Sequence, residues 1–450
     1  MSAEVLAESL LAYPEELNIF QKPIQCVGIE KIQKVIYYPV NDFSTQNVIN
    51  FNCPGHGSHY FDLKNIKLNI TCKILRNNDE KVEEPSANKG TVGVVNNFMH
   101  SLFSRVDITI QNKTFSQSDS SYPYLSYLKT LLNRNRIDDN ELAIQMFYAD
   151  TAGYFNDAKW AVATNEGFKK RSKFFNASQE VDMSGKLSLD VFEINRYLPC
   201  GIPLEIKLYP SSSGFCLMSD DNDTILKKIG GGYKVVITRA SLEVPKVVLQ
   251  PEVLIAHAEV LEGTPAVFPY MQSEIKKHNL TSGSHDAEIN NPYTGRIPSE
   301  IIFGITTDSA HFGKLDKNPF EFKNVKLRTV QLTVDGQDIA NSPIKTKYVS
   351  DNPYKSNYME AYKTLIGVNG ADYEIPISRE DFPKGYTLYR FLIDSDNQSG
   401  SDDVISLKRL GNMRIYMSFE DALSEAHTVV MWARFPAALT VDKTKAVREL

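Results

Sequence analysis

Val106-Asp107-Ile108-Thr109-Ile110, running into the polar turn Gln111-Asn112-Lys113, is stated a second time as Val330-Gln331-Leu332-Thr333-Val334 before Asp335-Gly336-Gln337. Each copy alternates apolar and polar residues with period two, the pattern of a half-buried strand. Each is followed by an amphipathic segment. The first sets Tyr124, Tyr127, Leu128, Leu131 and Leu132 on one face; the second sets Tyr358, Ala361, Tyr362, Leu365 and Ile366. Both follow the spacing of a helix buried along one stripe. Both contain Lys-Thr-Leu, at Lys129-Thr130-Leu131 and Lys363-Thr364-Leu365. The strand copies, at positions 106 and 330, lie 224 residues apart; the helix copies, at 129 and 363, lie 234 apart. That interval is far longer than a solenoid repeat and has the size of a whole domain. The pattern predicts one fold duplicated in tandem.

The rest of the chain is read outward from this pair. Strand-like stretches occur at Val35–Tyr38, Tyr60–Leu63, Ile66–Ile74, Lys186–Val191, Leu204–Leu208 and Lys234–Ile237, with short helices expected at Val95–Phe103 and Asp138–Met146. The second half echoes the end of the first. Met413–Met417 corresponds to Leu204–Leu208 at an offset of 209, and Thr428–Met431 to Lys234–Ile237 at an offset of 194. Order is kept while connecting loops change length, which closure entropy tolerates cheaply. Many short strands with Gly, Asn, Asp and Pro turns indicate an all-β chain. The expected fold is two tandem eight-stranded jelly-roll β-sandwiches with short inserted helices. The division is 1–24 as an N-terminal arm, 25–247 and 248–440 as the two jelly rolls, and 441–450 as a C-terminal tail. The junction falls between Pro245 and Pro251, where two prolines limit continuous sheet pairing. In the arm, Leu6, Leu10 and Leu11 suit one side of a short helix ending before Pro14, and a mobile terminus is the other reading.

Composition narrows the function classes. The formal net charge of −6 supplies no global basic field to draw nucleic acid or anionic membrane. The five cysteines (Cys26, Cys53, Cys72, Cys200, Cys216) are odd in number and lack C-x-x-C spacing. They read as free, mostly buried thiols in a reducing compartment. No apolar run approaches the ~18 residues of a membrane span, and the N-terminus lacks a signal-peptide pattern. Without a secretory route, the sequons at Asn69 and Asn112 carry no glycan.

Several local patterns invite a catalytic reading and fail it. His56 and His59 in Pro54–Tyr60 have neither cupin nor zincin context, and a glycine-rich turn explains them. Asp394–Asp403 lacks the glycine and glutamate that a calcium loop needs at its sixth and twelfth positions, which are Ser399 and Ile405. Gly230-Gly231-Gly232 is followed by no phosphate-loop Lys-Ser/Thr. Ser284-His285-Asp286 are chain neighbours, which do not form the spatial relay of a triad. Asp220, Asp221 and Asp223 form a charge run without a partner. No residue is assigned a catalytic, cofactor-binding or metal-ligating role, and neither enzymatic activity nor a cofactor is expected.

A set of segments in fixed order carries a family resemblance. They are Pro54–Leu63, Asn96–Val106, Ser121–Tyr124, Arg196–Gly201, Phe215–Met218, Lys317–Lys323, Val334–Gln337 and Gly385–Tyr389. Together they resemble the double jelly-roll major capsid (hexon) proteins of Polinton and adintovirus type elements. The chain departs from the pattern at Cys200, where a small polar residue is expected, and at His56, where serine is commoner. The resemblance implies a homotrimer of two-roll subunits. Six rolls would make a pseudo-hexagonal capsomer that tiles the icosahedral shell of a double-stranded DNA virus or virus-like element. Its implied partners are neighbouring capsomers, penton or minor capsid proteins, and an enclosed DNA genome met without sequence-specific contact. It places the protein in the virion, after synthesis inside a host cell. The alternatives are a carbohydrate-active or carbohydrate-binding paired jelly roll, since the fold hosts many functions, and a penton-type protein, which the duplication disfavours.

Overall fold

The computed structural model of the chain describes residues 28–41, 48–55, 57–82, 92–116, 121–134, 137–159, 163–219, 232–339, 342–349, 352–367, 375–393 and 409–449. The arm at 1–24, Cys26, His56, the Asp220–Asp223 run, Gly230, Gly231 and the Asp394–Asp403 loop lie outside them.

Eight strands frame the first half: β1 (Ile29–Tyr37), β2 (Ile49–Cys53), β3 (Lys67–Arg76), β4 (Phe103–Ile110), β5 (Lys113–Ser116), β6 (Val181–Lys186), β7 (Leu204–Pro210) and β8 (Tyr233–Leu249). Eight more frame the second: β9 (Ala266–Leu280), β10 (Asp286–Asn290), β11 (Glu300–Thr307), β12 (Leu327–Val334), β13 (Gln337–Asp338), β14 (Leu388–Leu392), β15 (Met413–Phe419) and β16 (His427–Val441). Four helices matter below: α1 (Tyr122–Leu132), α2 (Glu166–Phe174), α3 (Pro251–Gly263) and α4 (Met359–Ile366).

The first half pairs its strands as β1-β8-β3-β6 in one sheet and β2-β7-β4-β5 in the other. The second pairs them as β9-β16-β11-β14 and β10-β15-β12-β13. Adding eight to each strand number of the first half reproduces the second. The chain passes back and forth between two antiparallel sheets, which is jelly-roll winding, performed twice. The repeat holds at the level of single residues. Val106, Ile108 and Ile110 face Leu208, Ile206 and Leu204 across β4 and β7. Val330, Leu332 and Val334 face Met417, Ile415 and Met413 across β12 and β15. The sequence offsets of 224 and 209 are therefore the offsets of equivalent ladder positions. Both repeat strands turn through two-residue hairpins, Gln111-Asn112 and Asp335-Gly336. Gln111 (φ 55°), Asp335 (φ 50°) and Gly336 (φ 81°) adopt the left-handed region that matches strand twist.

Alternation decides which face is core. Along β3, Leu68, Ile70, Cys72 and Ile74 are buried while their neighbours stay half-exposed. The central strand β11 is buried on both faces, so its sequence, Glu-Ile-Ile-Phe-Gly-Ile-Thr-Thr, does not alternate. Gly304 sits where a Cβ would come within 2.5 Å of the Phe322 ring. Buried residues of both halves form one continuous apolar core.

Three expectations are corrected. The Lys186–Val191 segment leaves its ladder at Lys186 and becomes a 3-10 turn at Asp190–Glu193. There Asp190 meets Lys129 Nζ at 2.5 Å and accepts the backbone N–H of Ser273 at 2.7 Å. Pro245 does not interrupt β8. It pairs with Lys34 of β1, and its carbonyl accepts the Asp62 N–H at 3.1 Å. A proline needs no ladder donor of its own where only its carbonyl is used. The sheets of the two halves separate at α3 instead. Finally, Val447–Glu449, expected within a tail, folds back as a strand on β16, and Glu449 accepts from Tyr270 Oη at 2.9 Å.

The two repeat helices differ in burial. Nearly every residue of α1 is buried, whereas in α4 only Ala361 and Leu365 are, with Tyr358 buried just before it. Tyr362 is half-buried and donates its hydroxyl to the Ile377 carbonyl at 3.0 Å.

Candidate functional site

The other half of the chain covers part of α1. Tyr127 stacks on Phe320 with ring centroids 4.2 Å apart and planes at 10°. Tyr124 meets Phe320 edge-on at 5.8 Å, and its hydroxyl lies 3.0 Å from His311 Nδ1. Such pairs add about 1 kcal/mol each beyond area burial. The seam between halves is thus aromatic at its centre.

Beside the aromatic contacts stands a polar hub. Arg171 of α2 and Asp150 form an ion pair at 2.6 Å, with both side chains fully buried. The Arg171 guanidinium also donates to the carbonyls of Val94 and Tyr148. Asp150 Oδ1 accepts from Asn165 Nδ2 at 2.9 Å, and Oδ2 from Asn318 Nδ2 at 3.2 Å. Tyr386 Oη donates to the Asp150 carbonyl at 2.6 Å. Asn318 and Tyr386 belong to the second half, so Asp150 fastens both, Asn318 through its carboxylate and Tyr386 through its backbone carbonyl. Shape reinforces it: Gly385 (φ 100°) allows the backbone to approach Phe155, where a Cβ would come within 2.4 Å of the ring. Lys317–Lys323 and Gly385–Tyr389, quoted above for the resemblance, supply this seam. Their spacing in sequence gives no sign of the contact; only the fold brings them to Asp150.

A buried histidine, His100, and a half-buried one, His311, are expected to make the folded state sensitive to acid. Burial lowers His100 to about 4 against the hydrogen bond its Nε2–H donates to Gln145 Oε1, and its Nδ1 lies 2.8 Å from Tyr122 Oη. Burial and then Lys277 lower His311 to about 4, with Asp308 opposing. The unfolded chain binds protons at these sites near 6.5 while the folded chain does not. Stability is therefore full above 6.5 and declines as pH falls from 6.5 to about 4. His100 alone accounts for about 3 kcal/mol of this decline. Denaturant titrations at pH 7, 5.5 and 4.5 are expected to show the fall, and His100→Gln to flatten it. An unchanged slope in that variant would remove His100 as a proton acceptor.

The remaining sequence candidates do not converge. Ser284 Oγ shares a 2.8 Å hydrogen bond with Thr281 Oγ1, and the Ser284 and His285 carbonyls accept from Leu423 and Phe419. These three residues close a turn before β10. Among the described residues, no group of three or more His, Cys, Asp or Glu side chains is placed to hold a metal ion. The described cysteines are free; burial pushes the Cys53 and Cys216 thiols up to about 12, which makes them poor nucleophiles. Among the described residues, no helix is long and apolar enough to cross a membrane.

No model of a known protein family matches the chain. It is 21% identical over 413 residues to the uncharacterized protein F54H12.2 of Caenorhabditis elegans, covering 89% of this chain and 93% of that one. Among solved structures, a chain of the Sputnik virophage matches all of this chain and 94% of its own length, with a TM-score of 0.62 at 12% identity. The Faustovirus major capsid protein matches 96% of this chain and 92% of its own length, with a TM-score of 0.55 at 8% identity. The mavirus major capsid protein matches all of this chain and 97% of its own length, with a TM-score of 0.50 at 12% identity. These likenesses cover both halves of the chain. The chain has the double jelly-roll fold found in these viral capsid proteins.

Proposed function

We propose that this protein is a major capsid protein without enzymatic activity, one that self-assembles as a trimer into pseudo-hexagonal capsomers of an icosahedral shell. The observation that carries the reading is the twofold repetition of one strand order within a single chain, in a fold shared end to end with two proteins named as major capsid proteins. A ring of three subunits closes through heterologous contacts. Two rolls per subunit give that ring six similar edges, and six edges pack as hexagons. The seam at Asp150 and Phe320 serves this use, because tiling requires the two rolls to be held in one orientation. We take 25–247 and 248–440 as the two rolls, a reading supported by the strand order of β1–β8 recurring in β9–β16.

The finer assignments follow from the segments quoted above. We place the chain with the Polinton and adintovirus type capsid proteins of double-stranded DNA elements. Neighbouring capsomers and penton or minor proteins are its partners. The virion, formed after synthesis in a host cell, is its location. The net charge of −6 suits a shell wall that does not read the enclosed DNA. Light scattering of purified protein is expected to give three times the chain mass, and electron microscopy to show hexagonal capsomers. A clean monomer at micromolar concentration would overturn the reading.

A further inference from the structure

The seam within the chain uses one copy of two repeated elements and leaves the other copy bare. β1 and β9 hold the same place: each is the edge strand beside the last strand of its roll, β8 or β16. The first roll covers β9. α1 and the Asp190–Glu193 turn lie against it, Asp190 accepts the Ser273 N–H, and Arg196 donates to the Val267 carbonyl at 2.7 Å. Phe268, Ser273, Ile275 and Leu280 of β9 are buried. No residue of β1 is buried, and its Ile32 and Ile36 are 54% and 53% exposed. The helices divide in the same way. Lys129 of α1 reaches the seam and binds Asp190 and Glu193. Its counterpart on α4, Lys363, is exposed and has no ion-pair partner among the described residues. Met359, Tyr362 and Ile366 beside it are half-buried.

We propose that the α4 side of the second roll packs on β1 of the first roll of a second copy, repeating between chains the contact that α1 makes with β9 within one. This rests on the capsomer reading above. In a ring of six similar rolls, every other junction is the seam inside a chain. The junctions between them run from a second roll to a first, and the elements equivalent to α1 and β9 there are α4 and β1. The contact joins two different surfaces, which is what a closed ring of three requires. The surfaces also suit each other. An edge strand with exposed isoleucines is a liability until a partner covers it, and the half-buried apolar side chains of α4 offer that cover. Glu30, Lys31 and Lys34 lie among the residues of β1, and Glu360 and Lys363 on α4, so each side carries both signs of charge for the other.

Light scattering of two full-chain variants at micromolar concentration tests this. Ile32→Glu/Ile36→Glu changes only exposed side chains, so its Tm should stay within about 2 °C of the unmodified protein, while its mass falls from three chains to one. Lys363→Glu/Ile366→Asp, altered on the opposite surface, should fall to one chain as well. Each variant keeps the surface that the other lacks. An equal mixture is therefore expected to form a dimer of one of each, which cannot close into a ring. Trimers persisting in either folded variant overturn the proposal and leave the capsomer reading standing. A dimer formed by one variant alone also overturns it, because that contact would join like surfaces, such as β1 to β1 edge to edge. A monomeric unmodified protein overturns the capsomer reading and this inference with it.

Discussion

Leu128→Asp is expected to leave no soluble, folded protein. Leu128 is wholly buried on α1, the helix enclosed between the first roll and the aromatic residues of the second. An aspartate there loses about 2 kcal/mol of side-chain burial and places a carboxylate in a site without a donor, at a cost of several kcal/mol more. Single-site losses above about 4–5 kcal/mol are exceptional, and an unpaired buried charge is among their few causes. The equivalent position in the second half, 234 residues later, is Tyr362. It is half-buried with its hydroxyl at the edge of the fold, so Tyr362→Asp keeps contact with water and should cost only about 1–2 kcal/mol. Soluble yield and Tm of the two variants check both statements. Normal yield of Leu128→Asp would show that α1 does not join the halves.

Asp150→Ala is expected to destabilise the chain by about 3–5 kcal/mol, because it leaves the Arg171 guanidinium buried and uncompensated. The same change strips the acceptors of Asn165 and Asn318. Arg171→Met should cost a similar amount by stranding the carboxylate. The double variant Asp150→Leu/Arg171→Met removes both charges and should recover part of the loss, since a buried pair contributes little net stability beyond its mutual compensation. It will not recover all of it: the Val94 and Tyr148 carbonyls, which accept from Arg171, remain without that donor. Denaturant unfolding of the two single variants and the double forms a cycle that measures the coupling directly. Strict additivity would show that the two side chains do not act as a pair.

The local elements were legible because their causes are local. Period-two alternation at Val106–Ile110 and Val330–Val334 reports a strand with one wet face. The helical spacing of Tyr124, Tyr127, Leu128, Leu131 and Leu132 reports a stripe that must be covered. Their recurrence in the same order announced a duplicated β-fold, and the offsets of 224 and 209 proved to be ladder equivalences. Where the reading missed, the competing cause was distant in sequence. The strand expected through Val191 stops at Lys186 because Asp190 is claimed by Lys129 and Ser273. Pro245 stays in its strand because its carbonyl, not its missing N–H, faces the neighbouring backbone.

What the amino-acid sequence determined by itself is therefore the repeated unit: strand type, turn, helix and order, each set by residues within a few positions of one another. What only the tertiary structure decided is how the two units are joined and what they leave uncovered. The near-identical stripes of α1 and α4 predict equal burial, yet the second half covers one in part through Phe320 while the other keeps a wet side. The apolar helix at Pro251–Gly263 stands open beside a groove. Burial is a property of what lies opposite a residue, and for these positions the opposite surface comes from up to 236 residues away, as from Tyr386 to Asp150. No periodicity in the chain encodes that distance; the closure of the two rolls upon each other does.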